Sequence, residues 1–181
     1  MSLAVGRILF DEATIARRVA ALAVEIAAAL PAELLAIGVL KGGFIFLADL
    51  VRALDRLGAR PEVEFMRLSS YGRSRESSGS VRLLGEPPVP FAGRDVLLVD
   101  DIADSGVSLD YARTFLLQRG AARVLTCVLL DKPSRRKVPF VADFVGFPVG
   151  DEFVVGYGLD DGERHRHLPY LAVASVAGEE A

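Results

Sequence analysis

A single cysteine, Cys127, stands in the whole chain, and this scarcity excludes both an internal disulfide and a thiolate metal cluster. Cys127 lies in the apolar run Val124 to Leu130, where a buried core thiol is expected rather than a reactive one. Basic blocks are missing too. The formal charge is -3 at pH 7, so nothing favours a nucleic-acid groove or an anionic membrane surface. The apolar segments are too short or too charged to span a bilayer. Met1 to Phe10 lacks the basic start and long apolar core of a secretory signal, so a cytoplasmic location is expected. There is no Gly-x-Ser-x-Gly elbow, no Walker loop and no dinucleotide fingerprint. The two histidines, His165 and His167, each lie beside an arginine and lack carboxylate–histidine ligand spacing. A solvated or hydrogen-bonding role is expected for them rather than a metal.

What is present is an apolar, soluble composition. Hydrophobic residues make up 51% and charged residues 25% of 181 residues, enough for one domain with a substantial core. The apolar surplus is partly alanine and fits a subunit interface. Asp11 to Leu30 reads as a helix, with Asp11 as N-cap, Ile15, Val19, Leu22 and Ile26 at helical spacing, and Pro31 as the stop. Leu34 to Leu40 reads as a buried strand ending at Lys41-Gly42-Gly43, and a second helix follows to about Leu57. This loop is either a second anion cradle, its glycines letting backbone approach a ligand, or a plain turn with a surface lysine.

Glu62 to Leu68 reads as a strand. The polar segment 69–80, rich in Ser and Gly, is either a surface loop or a lid over a site, with Val81 to Leu84 as its return strand. Arg123 to Leu130, Asp143 to Phe147, Phe153 to Tyr157 and Leu171 to Val176 read as further strands, and Ser108 to about Arg119 as a helix with Gly120 at C′. Strands alternate with helices, so the fold class is α/β with a mostly parallel central sheet flanked by helices.

The chemistry concentrates in residues 96–109. The run Val96 to Val99 suits a strand covered on both faces. Asp100 and Asp101 then fall at its carboxyl end, where open α/β sheets bind ligands. Asp104, Ser105, Gly106 and Ser108 follow without a gap and open a helix, which makes an anion site. Two acidic residues after a strand can be no more than a solvated loop, and Asp-x-x-Asp-Ser-Gly can be a helix cap. Taken together, acceptor carboxylates beside an anion cradle fit a ligand with hydroxyls and a phosphate, such as a sugar phosphate. The same carboxylates can hold Mg²⁺. Adjacent aspartates with a later Lys-Pro also occur in bacterial receiver domains. There a separate strand ending in the phospho-accepting aspartate intervenes, and here none does.

Residues 96–109 resemble the phosphoribosyl pyrophosphate motif of type I phosphoribosyltransferases. Lys41-Gly42-Gly43, Ser69-Ser70-Tyr71-Gly72, Leu130 to Arg136, the block Asp151 to Asp160, and His167-Leu168-Pro169-Tyr170 resemble the hypoxanthine-guanine branch of that family. The resemblance covers nearly the whole chain. It implies a type I phosphoribosyltransferase fold in a single domain, 1–181. A small hood would come from the N-terminal segment and about 150–181, and a flexible lid from about 69–80. It implies an enzyme of purine salvage that joins hypoxanthine or guanine to phosphoribosyl pyrophosphate with Mg²⁺, giving IMP or GMP and pyrophosphate, in a homodimer or homotetramer. A relative preferring xanthine, and a non-catalytic RNA-binding regulator on the same scaffold, are the rivals; the acidic balance argues against the second.

Residue by residue, the resemblance implies that Asp100 and Asp101 hold the ribose hydroxyls with help from metal. Asp104 would be the catalytic acid/base, and Ser105, Gly106, Val107 and Ser108 would cradle the 5′-phosphate. Lys41, Gly42 and Arg166 would bind pyrophosphate, at a loop where the family often has a non-proline cis peptide. Lys132 would donate to the purine 6-oxo group, Phe153 would stack on the ring, and Val154 would meet its edge through backbone. Asp160 would support a second Mg²⁺, while Ser70 and Tyr71 would belong to the lid. The family commonly has Glu-Asp where this chain has Asp100-Asp101. The shorter Asp100 then reaches its hydroxyl or metal either directly or through water. Val107 stands where the family often has a polar residue, and Ser108 where it frequently has threonine.

Overall fold

The structure, a computed structural model, describes residues 4–70 and 81–175. A six-stranded sheet runs through it. Its strands are β2 (Leu35–Leu40), β3 (Glu62–Ser70), β4 (Val81–Gly85), β5 (Asp95–Ala103), β6 (Arg123–Asp131) and β7 (Phe144–Pro148). The order is β4-β3-β2-β5-β6-β7, with every neighbouring pair parallel except β3–β4 at one edge. The helices are α1 (Glu12–Ala29), α2 (Phe44–Asp55) and α3 (Val107–Gln118).

The alternation of side chains explains why the central strands read as unbroken apolar runs. In β5, Leu97 and Val99 pack with α1 and α2 residues such as Leu22, Ile26, Phe46 and Leu50. Val96 and Leu98 pack on the opposite face with Leu109, Ala112 and Leu116 of α3. Both faces are covered, so polar residues have no place until the strand nears its end. Cys127 is fully buried on the first face, and burial pushes its thiol pKa well up. This agrees with an inert core thiol.

Local signals hold at the helix ends. Asp11 accepts a hydrogen bond from the Thr14 backbone N–H at 2.7 Å and caps α1. Gly120 follows α3 with φ of 96°, and Ala121 N donates back to Leu116 O at 3.0 Å.

Three differences from the sequence reading have physical causes. First, β5 continues beyond Val99 to Ala103, because Asp100, Ile102 and Ala103 still pair with Val128, Leu130 and Asp131 of β6. The aspartates therefore sit inside the last part of the strand rather than after it. Second, the strand expected over Phe153 to Tyr157 shortens to β8 (Val154–Val155), because Gly156, Tyr157 and Gly158 all take positive φ and turn the chain. Third, the N-terminal residues, for which no strand was read and which the resemblance assigned to a hood, form β1 (Ala4–Phe10). It pairs antiparallel with β9 (Leu171–Ser175), and the three make a second sheet in the order β1-β9-β8. Leu171 and Val154 of this small sheet enter the same apolar cluster as α1 and α2.

Leu50 is fully buried between α2 and the sheet. Leu50→Ala is expected to destabilise the protein by about 2–5 kcal/mol. Urea unfolding checks this as a lower midpoint with an unchanged slope.

Candidate active site

The carboxyl ends of β5 and β6 form two adjoining clefts. One, of about 210 Å³, is lined by residues 100–106 with Ser108 and Leu109. The other, of about 190 Å³, has Lys132, Phe153, Val154, Leu159 and Asp160 on its far wall. Asp101, Ile102 and Asp104 line both. The residues assigned by resemblance to a phosphoribosyl group and those assigned to a purine thus fall on either side of one shared strip. Val107 is the first residue of α3, and its N–H donates to Ser105 Oγ at 3.4 Å.

Asp100 is only 8% exposed, and its Oδ1 accepts from the Asp101 N–H at 2.9 Å. Burial, followed by the neighbouring charge of Asp101, raises the Asp100 pKa well above the usual carboxylate range. Burial also raises that of Asp101, partly offset by its hydrogen bonds and by the positive charge of Arg166. Gly42 and Gly43 lie directly against this pair. A Cβ on Gly42 would come within 1.6 Å of Asp101 Oδ2, so only glycine permits the approach. The Leu40–Lys41 peptide is cis, as the resemblance implied.

Lys41, exposed at the loop, has its Nζ 2.9 Å from Glu163 Oε1. Arg166 Nη2 lies 3.2 Å from the other oxygen of Glu163 and 2.7 Å from Asp160 Oδ1, while its Nη1 donates to Gly158 O. The two cations assigned to pyrophosphate are therefore brought together, with one carboxylate bridging them. Their hydrogen bonds hold the Glu163 pKa below its ordinary value. Glu163 was not singled out from sequence, where it is one charge in a run of charges.

In the second cleft, the Lys132 Nζ donates to Glu152 O at 2.6 Å. Burial lowers the Lys132 pKa, and the charge of Asp104 partly opposes this. Phe153 leaves its ring 43% exposed, an apolar face presented to the cleft. Asp104 pairs with Arg135 Nε at 2.7 Å, a partner not foreseen from sequence. Of the two histidines, read as solvated or hydrogen-bonding, His167 is exposed, while His165 has its Nε2 buried without a hydrogen-bond partner among the described residues. Among the described residues no group of three His, Cys, Asp or Glu gathers in metal-binding geometry. Of the expected lid, Ser70 ends β3 opposite Val81 of β4, the predicted return strand; residues 71–80, Tyr71 included, lie outside the described residues.

A parallel sheet carrying buried aspartates and a Ser-Gly helix start at its carboxyl end defines the phosphoribosyltransferase class. The family model described as Phosphoribosyl transferase domain matches residues 7–162. The chain is 49% identical to the hypoxanthine-guanine phosphoribosyltransferase of Aquifex aeolicus, over 90% of this chain and 91% of that protein. It is 44% identical to the Bacillus subtilis enzyme of the same name, over 96% and 95%. Among solved structures, a Bacillus anthracis hypoxanthine-guanine phosphoribosyltransferase superposes with TM-score 0.88 at 38% identity, covering 94% of this chain and 99% of that one. The Trypanosoma cruzi hypoxanthine phosphoribosyl transferase also reaches 0.88, at 39% identity over 94% and 91%. The chain belongs to the hypoxanthine-guanine phosphoribosyltransferase family.

The raised pKa of Asp100 means that its ionised form opposes folding at neutral pH. Asp100→Asn is therefore expected to raise the melting temperature of the ligand-free protein at pH 7, by about 2–4 °C for each kcal/mol relieved. The wild type regains stability as pH falls through the raised folded pKa toward the unfolded value. The gap between the two proteins should close in that direction, as melting curves across pH would show.

Proposed function

We propose that the protein is a purine-salvage enzyme that transfers the 5-phosphoribosyl group from phosphoribosyl pyrophosphate to hypoxanthine and guanine, releasing IMP or GMP and pyrophosphate. The junction of the two clefts along Asp101, Ile102 and Asp104 carries this reading. A bond between base and sugar forms only where both substrates meet in one oriented geometry.

On this reading, Asp100 and Asp101 accept from the two ribose hydroxyls, and the residue 105–108 turn with the start of α3 donates N–H and hydroxyl groups to the 5′-phosphate. Lys132 keeps one N–H on Glu152 O and directs the others to the purine 6-oxo oxygen. Adenine offers an amino group there, which cannot accept. Phe153 stacks on the ring and Val154 meets its edge through backbone. Asp104 takes the purine ring proton as the new bond forms. Its ion pair with Arg135 is exposed on both sides, so it opens at little energetic expense. Lys41, the Gly42 backbone and Arg166 receive the pyrophosphate, whose charge suits two converging cations.

Mg²⁺ fits the donor set. Two adjacent carboxylates whose ionisation is opposed by burial are hard oxygen donors suited to a cation, and Mg²⁺ is held by one or two carboxylates plus substrate oxygens and water. Asp100 and Asp101 would hold one ion and Asp160 a second. When bound, the metal neutralises and orients the pyrophosphate. The β1-β9-β8 sheet serves as the hood of a single domain, and segment 69–80, with Ser70 and Tyr71, serves as a lid that excludes water. Exposed Phe44, Val63 and Phe65 supply apolar surface for a homodimer or homotetramer. No helix among the described residues is long and apolar enough to cross a membrane, and we place the enzyme in the cytoplasm, acting on small molecules and not on nucleic acid.

Initial rates with hypoxanthine, guanine, xanthine and adenine, each with Mg²⁺ and phosphoribosyl pyrophosphate, test the proposal. The 6-oxopurines should be used and adenine should not; adenine as the best substrate would refute the role of Lys132. Asp104→Asn should lower turnover by roughly 10²–10⁴-fold, and a rate within about threefold of wild type removes the acid/base role. Lys132→Ala should impair use of the base more than binding of phosphoribosyl pyrophosphate. Equal losses would count against that assignment.

A further inference from the structure

We propose that Arg136 is a positioning residue that locks the base cleft to the phosphoribosyl loop, so that Lys132 and Asp104 keep one mutual geometry. The proposal rests on the reading of the two clefts given above. Its basis is how the guanidinium is spent. Nη1 donates to Ala103 O at 2.5 Å, Asp104 O at 2.6 Å and Lys132 O at 3.2 Å. Nε donates to Phe140 O at 3.1 Å, and Nη2 pairs with the Asp131 carboxylate. One side chain therefore grips the end of β5, the residue that carries the proposed acid/base, and the backbone of the residue that carries the 6-oxo donor.

The clamp is sheltered. The Arg136 and Asp131 side chains are only 15% and 16% exposed, whereas the neighbouring Arg135–Asp104 pair is 43% exposed on both sides. Solvent screens the second far more than the first. The backbone closes around the same point, with Lys132 N donating to Ala103 O and Lys137 N to Ser105 O. A Cβ on Gly106, which has φ of 80°, would meet Phe140 Cβ at 2.9 Å and Arg136 Cδ at 3.2 Å. The phosphate turn thus leans on the segment Arg136 organises. Only a planar fork of five donors can serve carbonyls and a carboxylate at once; lysine carries a similar charge but no such fork. Carbonyls left without this donor would let the loop and β6 end drift apart, and a drift of about 1 Å between reacting groups can cost roughly 10²-fold in rate.

The test uses Arg136→Met and Arg136→Lys in the full chain, with kcat, both KM values and melting temperature measured, alone and combined with Asp104→Asn. We expect kcat to fall by at least about tenfold in each, with smaller changes in KM. In the Asp104→Asn background the same substitutions should lower kcat by less than about threefold, because the group they position is already gone. If Arg136→Met folds poorly, Arg136→Lys, which keeps the charge opposite Asp131, carries the test. A kcat for Arg136→Lys within about threefold of wild type overturns the proposal, as does a loss of equal size in both backgrounds, which would mark a purely structural role. Absence of phosphoribosyl transfer by the wild type would refute the proposed function instead.

Discussion

Two adjacent carboxylates held out of water at the end of a buried strand are the constraint on which the rest of the molecule depends. Asp100 and Asp101 occupy β5 where it still pairs with β6, under a loop that glycine alone allows so close. Burial opposes the ionisation of both, and the charge of Asp101 adds to the cost at Asp100. Such a pair costs stability in the folded protein, and on the proposed reading ribose hydroxyls or a cation would offset that cost. The apolar packing on both faces of β5 supplies the stability that tolerates it.

The surroundings answer that charge in layers. The charge of Arg166 partly offsets the rise in the Asp101 pKa, and Arg166 is itself held by Asp160, Glu163 and the Gly158 carbonyl. Glu163 in turn draws in Lys41 from the β2–α2 loop. The side proposed for the leaving group is therefore a cluster of alternating charges on two loops. The side proposed for the base is quieter: a buried lysine, an exposed ring and a short strand. Arg136, together with backbone hydrogen bonds, links that side to the 104–106 turn.

Much of this was legible in the chain. The run Val96 to Asp101 reads as a strand meeting a ligand because apolar continuity and the switch to carboxylates are both local. The α1 cap at Asp11 and the glycine after α3 are also local, and the structure agrees with both. The base preference needed resemblance, since neither Lys132 nor Phe153 carries a pattern that identifies a purine. Strand β1 was missed because its residues are mostly exposed and its partner β9 begins at Leu171. Nothing nearby marks it.

By itself, the sequence determined the α/β class and the position of the carboxylate pair and Ser-Gly turn, which rest on periodicity or on residues contiguous along the chain; the family rested on resemblance in segments scattered along the chain. Tertiary structure alone decided that Glu163 bridges Lys41 and Arg166, that Arg135 pairs with Asp104, and that Arg136 donates to the carbonyls of both Asp104 and Lys132. Lys41 and Glu163 are 122 residues apart, and Arg136 and Ala103 are 33 apart. A charged side chain in a loop has many acceptors within reach of its composition but only a few within reach of its atoms. Sheet order and loop packing choose among them, and local pattern does not encode that choice.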